Sequence, residues 1–173
     1  MAELPDILWA EGLNREPSGR DRRQAERIIS YWENKLAAYG DSITIAALDL
    51  GNMSSRDWAN RFLISVDPVV ERSTLIMYGP KFAQLLNLPD QPRSDLPLPR
   101  QLPRRYLDLF LRGCREVQQA SDPVRLEGEI PRSDGRIEQY RAAFIPVRVK
   151  PNSLTCFAFG ALNNRIVEAK AAE

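Results

Sequence analysis

The sequence predicts a single α+β domain, and three observations carry that expectation. Apolar residues recur at three- and four-residue steps over Arg20–Tyr39 and again over Arg104–Gln119, the spacing of one face of an amphipathic helix. Short runs rich in β-branched and aromatic residues lie between and after these stretches, bounded by Gly, Pro, Asn and Asp. The last three runs follow one another with only turn signals between them, which makes two successive antiparallel hairpins rather than strands alternating with helices. At 173 residues and 43% apolar composition, the chain has material for one sizeable core and not for two.

Residues 1–19 mix Pro5, Gly12, Pro17 and Gly19 with scattered charge and read as a flexible leader. Its Ile7, Leu8 and Trp9 offer a small anchor for docking on this domain or on a partner subunit. Residues 20–57 hold the N-terminal helix and a connector. In the helix, Ala25, Ile28, Ile29, Trp32, Leu36 and Tyr39 fall on one face, Asp21 places negative charge at the positive end, and Gly40 is placed to stop it. Ile28, Ile29, Trp32 and Leu36 present more apolar area than an exposed helix leaves in water. The stripe is therefore expected to be covered, by its own domain's core or by its twin in a homodimer, and dimerisation is the role assigned to these four residues. Asp41–Asn52 is too short to classify by period as helix or extended connector. Ser54-Ser55-Arg56-Asp57 starts a short helical turn, with Trp58 as an anchor against the domain.

The folded domain is expected over 58–167, with 168–173 as a tail. Arg61–Val66 is a strand ended by Asp67-Pro68, and Thr74–Tyr78 is a second, broken by Gly79-Pro80 before a short helical segment, Lys81–Leu88. Pro89, Pro92, Pro97, Pro99 and Pro103 make the next stretch a long loop, unfit for a regular helix or central strand. Arg104–Gln119 restores helical period through Leu107, Phe110, Leu111, Cys114 and Val117, and Asp122-Pro123 closes it. Strands follow at Val124–Ile130, Ile137–Val149 and Ser153–Leu162, joined by Ser133-Asp134-Gly135-Arg136 and by Lys150-Pro151-Asn152, with Arg165–Glu173 leaving the last strand as a tail or short helix.

Composition closes several routes to function. Lys plus Arg is 24 against 23 for Asp plus Glu, so a net charge of +1 gives no electrostatic reason to expect nucleic acid. No apolar run reaches the roughly 18 to 20 residues that cross a bilayer, and Met1–Asp6 lacks a signal-peptide pattern, so no membrane association and a cytoplasmic location are expected. Cys114 and Cys156 form neither a CxxC pair nor a disulfide framework and are expected as free, partly buried thiols. The chain has no histidine, which excludes a Ser-His-Asp triad, a Cys-His dyad, a His-ligated metal and a proximal-His haem built from this chain alone. No GxGxxG or Walker-type phosphate loop is found.

The order of elements, carried by the Phe62–Asp67 strand, the Ser73–Tyr78 strand running into Gly79-Pro80-Lys81-Phe82, the Ser133-Asp134-Gly135-Arg136 turn and the closing Cys156–Leu162 strand, resembles the PAS fold from about Trp58 to Val167. The upstream Ile28-Ile29-Ser30-Tyr31-Trp32 stretch is similar to the leader helix of stand-alone bacterial PAS-like proteins. The proline-rich 89–103 loop departs from the family, replacing its usual small helices. The resemblance implies a five-stranded antiparallel sheet in the order 2-1-5-4-3, helices across one face, and a sensory or protein-interaction role in signal transduction rather than enzymatic work. The flavin-adduct branch of the family needs a cysteine on the helix after the second strand, where Lys81–Leu88 has none, and the haem branch commonly uses histidine. No cofactor is expected.

What remains is an apolar cavity or a filled core behind the sheet. Phe62, Ile64, Met77, Phe82, Leu86, Phe110, Phe144, Phe157 and Phe159 are its candidate lining for a small apolar ligand, with Phe157 and Phe159 sharing one inward face. Tyr140 and Arg141 stand near enough in sequence to fix an acidic or polar ligand group. The competing reading is a small cone-shaped α+β enzyme, of isomerase or cyclase type, which would need a buried carboxylate beside a donor such as Tyr. Glu127, Glu129, Glu138 and Asp108 are available for that, on what read as solvated strand edges and a helix surface. With no catalytic residue and no metal ligand assigned, any signal is expected to leave by contact with a partner.

Overall fold

The structure is a computed structural model and describes residues 26–35, 48, 50, 53–119, 122–149 and 156–169. Helix α1 covers residues 26–35. After it come α2 (Ser55–Trp58), β1 (Arg61–Val66), a 3-10 turn (Val70–Arg72), β2 (Thr74–Tyr78), α3 (Pro80–Leu86), α4 (Leu98–Gln101), α5 (Arg104–Gln119), β3 (Val124–Pro131), β4 (Ile137–Arg148) and β5 (Cys156–Val167). The strands form one antiparallel sheet in the order β2-β1-β5-β4-β3, the order that the PAS resemblance implies.

Local chemistry explains the boundaries. Ser54 caps α2, its hydroxyl accepting from the Asp57 amide at 3.2 Å. Helix α3 begins with Pro80 in its first turn and ends at Asn87, whose left-handed φ of 54° lets the Leu88 amide reach back to the Ala83 carbonyl at 2.8 Å. Gly135 turns the β3–β4 hairpin at φ 83°, a conformation other side chains resist. Beside it Asp134 accepts from the Arg136 amide and guanidinium, bonds that lower its carboxyl to about 2.

Two expectations about elements are corrected. The proline-rich loop contains one helical turn, α4, because Pro99 sits in the first turn, where its missing N–H costs no helical bond. Its Leu98, together with Leu102 just beyond, is buried in the core. Strand β5 does not end at Leu162 but runs to Val167, since β4 is long enough to pair it through Ile137↔Val167. The Lys150-Pro151-Asn152 turn, the leader's Ile7, Leu8 and Trp9, and Leu36 lie outside the described residues.

Both faces of the sheet are covered. The inner face packs under α3, α4 and α5, with Phe62, Ile64, Leu75, Leu126, Ala142, Phe144, Ala158 and Leu162 meeting Phe82, Leu86, Leu98, Phe110 and Cys114. On the outer face, Leu63, Ala143, Ile145, Val147, Phe159 and Ala161 lie under Ile28, Ile29 and Trp32 of α1. The described part of the amphipathic stripe is thus covered by the sheet of the same chain. Ile28, Ile29 and Trp32, assigned above to dimerisation, are 0%, 3% and 7% exposed against their own sheet, so the apolar area that argued for a twin helix is already out of water.

Candidate functional site

The inner face is where a PAS-type ligand would be sought. Phe62, Ile64, Phe82, Leu86, Phe110 and Phe144, six of the nine predicted lining residues, are buried together there. The ring of Phe62 stands 5.2 Å from those of Phe82, Phe110 and Phe144, in tilted or edge-on geometry, and the Phe82 and Phe144 rings stand 5.8 and 5.6 Å from Phe110. These are contact distances for aromatic pairs. Glycines let the rings close up. Gly160 of β5 lies directly between Phe62 of β1 and Phe144 of β4, so the two rings meet over a position that has no side chain. Gly113 of α5 does the same from above, where an added Cβ would come within 2.5 Å of the Phe144 ring. The six residues thus pack against one another in the buried core.

That packing makes a direct prediction. A Cβ at Gly160 would stand 2.2 Å from the Ala143 carbonyl oxygen and 2.3 Å from the Phe62 ring, and the backbone contact cannot be relieved by a rotamer change. Gly160→Ala is expected to destabilise by about 1 to 3 kcal/mol or more, read as a lowered denaturant midpoint. A midpoint at or above wild type would show that the rings are not in contact.

The other three predicted lining residues are elsewhere. Phe157 and Phe159 do share a face, but it is the outer one, since Ala158, Gly160 and Leu162 take the inner positions of β5. Met77 is 40% exposed. Leu63 pairs with Met77 while its neighbour Ile64 pairs with Leu75, so a β-bulge leaves Ile76 unopposed. The bulge shifts the alternation, and Leu75 and Tyr78 face the inner core instead of Leu75 and Met77.

The carboxylates are also not where their sequence surroundings suggested. Glu138 is 1% exposed and accepts from the Tyr106 hydroxyl at 2.7 Å and from Asn164 Nδ2, with Arg105 Nε at 3.2 Å and Arg132 Nη1 at 3.6 Å. A buried carboxylate beside a tyrosine is what the enzyme reading asked for. Here both oxygens are engaged by donors, two of them cationic, and burial together with Glu138 holds the Tyr106 hydroxyl well above its usual range. This is the arrangement of a structural tie between α5 and the sheet. Glu127 lies 2.9 Å from Arg141 in a nearly buried ion pair directly across β3 and β4. Arg141 is therefore turned to the outer face, while Tyr140 faces inward and packs edge-on against Tyr106 at 5.9 Å. Glu129 and Asp108 are exposed. Cys114 and Cys156 are free, and burial pushes the Cys114 thiol up to about 12, far from a reactive thiolate.

Arg61, whose Nε makes no hydrogen bond, is on the outer face. Between α1 and α2 lies a cleft of about 640 Å³ lined by Glu26, Arg27, Ser30, Tyr31, Asn34, Lys35, Leu48, Met53, Ser54, Asp57 and Arg61, within the size range of small-molecule sites. Its floor is Arg61, the first residue of β1, on the same face as Leu63. The guanidinium lies 5.6 Å from the Tyr31 ring and 5.8 Å from the Phe159 ring, and Trp58 stacks on Phe159 at 6.0 Å. The Tyr31 hydroxyl donates to the Leu48 carbonyl and ties α1 to the segment before α2. Arg61 and Tyr31 were not singled out from the sequence. The available signal was a charge at a position that shares a face with Leu63, on a strand whose other residues are apolar except Ser65.

No family model matches this chain, and no curated protein matches it. Among solved structures, the chain is similar to a fungal LOV domain photoreceptor, at 17% identity and a TM-score of 0.40, over 79% of this chain and 91% of that one. Among the described residues, no helix is long and apolar enough to cross a membrane.

Proposed function

We propose that this chain is a PAS-type sensory or protein-interaction module, cytoplasmic and non-enzymatic, whose working surface is the outer face of the sheet rather than the chamber under α3 to α5. The observation that carries this reading is the packed inner core. On the inner face four phenylalanine rings pack closely, Phe62 and Phe110 each against the other three, whereas the outer face holds a cleft at the junction of α1, α2 and β1. Whatever enters that cleft touches α1 directly and can change how it sits on the sheet. A shift of that helix is the form in which a signal would reach a partner protein or a second copy of the chain.

Native mass spectrometry of the full-length protein, purified from the organism that makes it, reads bound mass and subunit number together. The expected result is a non-covalent small molecule or a second protein chain, recovered chemically unchanged after incubation. Conversion of the bound molecule to a product would establish the enzyme reading instead, and a bare single chain would overturn the proposal.

A further inference from the structure

Arg61 is 5% exposed, and its Nε makes no hydrogen bond. One terminal nitrogen meets only the Met53 sulfur at 3.0 Å, a weak acceptor. Asp57 is near enough to favour the charged form, but burial is the larger influence and lowers the pKa. A buried charge is ordinarily paired with a counter-charge and hydrogen-bonded, because desolvation is otherwise uncompensated. Among the described residues, Glu138 is bonded by Tyr106, Asn164 and two arginines, and Arg141 is paired with the counter-charge of Glu127. Arg61 has two aromatic rings and a thioether in place of a carboxylate, and it lies at the floor of an open cleft.

We propose that the cleft is a binding site for a small organic anion, a carboxylate with an apolar body, held by the Arg61 guanidinium. This assignment rests on the outer-face reading above and names the chemistry of what that face takes. The planar fork of arginine matches a carboxylate with two parallel hydrogen bonds. The Tyr31 and Phe159 ring centroids lie 5.6 and 5.8 Å from the guanidinium carbon, within cation–π range. Arg27 and Lys35 add positive charge to the wall, Glu26 and Asp57 balance it, and Ser30 and Asn34 supply neutral polar groups. One buried guanidinium and a nearly balanced wall suit a single negative charge better than a phosphate dianion. Leu48, Met53 and the Tyr31 ring offer apolar contact for the rest of the molecule.

The test is calorimetric titration and thermal denaturation of the full-length protein with three probes: benzoate, its neutral isostere benzamide, and inorganic phosphate. Benzoate is expected to bind one per chain and raise the midpoint, benzamide to do neither, and phosphate to bind more weakly than benzoate. Arg61→Met should weaken benzoate about ten- to hundredfold, the equivalent of losing a charge-assisted hydrogen-bonded contact. Arg61→Lys keeps the charge without the fork and should fall between the two. It also serves as the decisive variant if Arg61→Met fails to fold. The proposal is overturned by equal binding of benzoate and benzamide, by no benzoate binding, or by benzoate affinity unchanged in either folded variant. Stronger binding of phosphate overturns the carboxylate assignment. Failure here with a partner chain found in the native mass would leave the module reading standing, whereas benzoate binding alongside turnover of a native ligand would remove that reading and leave the anion site.

Discussion

Phe62→Ala is expected to unfold the protein or to lower its stability by about 3 to 5 kcal/mol. Phe62 is fully buried and is the hub of the inner core, its ring in contact with those of Phe82, Phe110 and Phe144. Removing it opens a void under α3 and α5 at once, and the sheet cannot collapse into that void because Gly160 beside it has no side chain to move. A loss of this size is a large share of the roughly 5 to 15 kcal/mol that holds a domain together. Urea denaturation followed by tryptophan fluorescence and by circular dichroism measures it. If the inner face were instead a ligand chamber, the unliganded protein would already contain the void, and a variant within about 1 kcal/mol of wild type would establish that.

Trp32→Ala is expected to cost a similar amount, about 3 to 5 kcal/mol, with a denaturation midpoint that does not depend on protein concentration. Trp32 is 7% exposed on the outer face, beside Ile28 and Ile29 and over the stretch of Leu63, Ile145 and Phe159. Its apolar contacts are within one chain, so mass action has no part in their stability. Denaturation of wild type and variant over a hundredfold range of concentration separates the cases. A midpoint that rises with concentration in the wild type and not in the variant would restore the twin-helix pairing that the sequence suggested for these residues.

Much of the fold was legible, and the reasons lie in particular residues. Thr74–Tyr78 and Arg104–Gln119 coincide with their expected bounds because Gly79-Pro80 and Asp122-Pro123 are unambiguous stops. The hairpin at Asp134-Gly135 was equally plain, since few residues other than glycine accept φ 83°. The faces were not legible. Period two says that Phe157 and Phe159 share a side but not which, and only a half-solvated sheet marks the side by polar residues on the other. Here β1 and β4 are buried on both faces, so Phe62-Leu63-Ile64 and Ala142-Ala143-Phe144-Ile145 carry no mark. Met77 was misplaced for a different reason, a bulge that no residue type announces. Glu138 looked solvated because its partners, Tyr106, Asn164, Arg105 and Arg132, come from other elements. Arg61 was passed over on the same grounds: its neighbours Tyr31 and Phe159 lie far from it in sequence, and a strand-opening arginine ordinarily faces water.

The bulge at Ile76 has a consequence beyond Met77. In the order β2-β1-β5-β4-β3, strands β2 and β3 leave one side each without a partner within the sheet, and an unpaired strand flank is a template on which another chain can add. The irregular pairing opposite Leu63 and Ile64 interrupts β2 within its five residues, and the Gln101 side chain takes up the Leu75 amide at 2.8 Å and carbonyl at 3.1 Å, which leaves no continuous ladder for another chain to extend. Strand β3 is guarded by composition instead, with Arg125, Glu127 and Glu129 at alternate positions and Pro131 at its end. The same irregularity that hid the register of β2 thus acts together with Gln101 to make an apolar strand, Thr-Leu-Ile-Met-Tyr, a poor template for another chain.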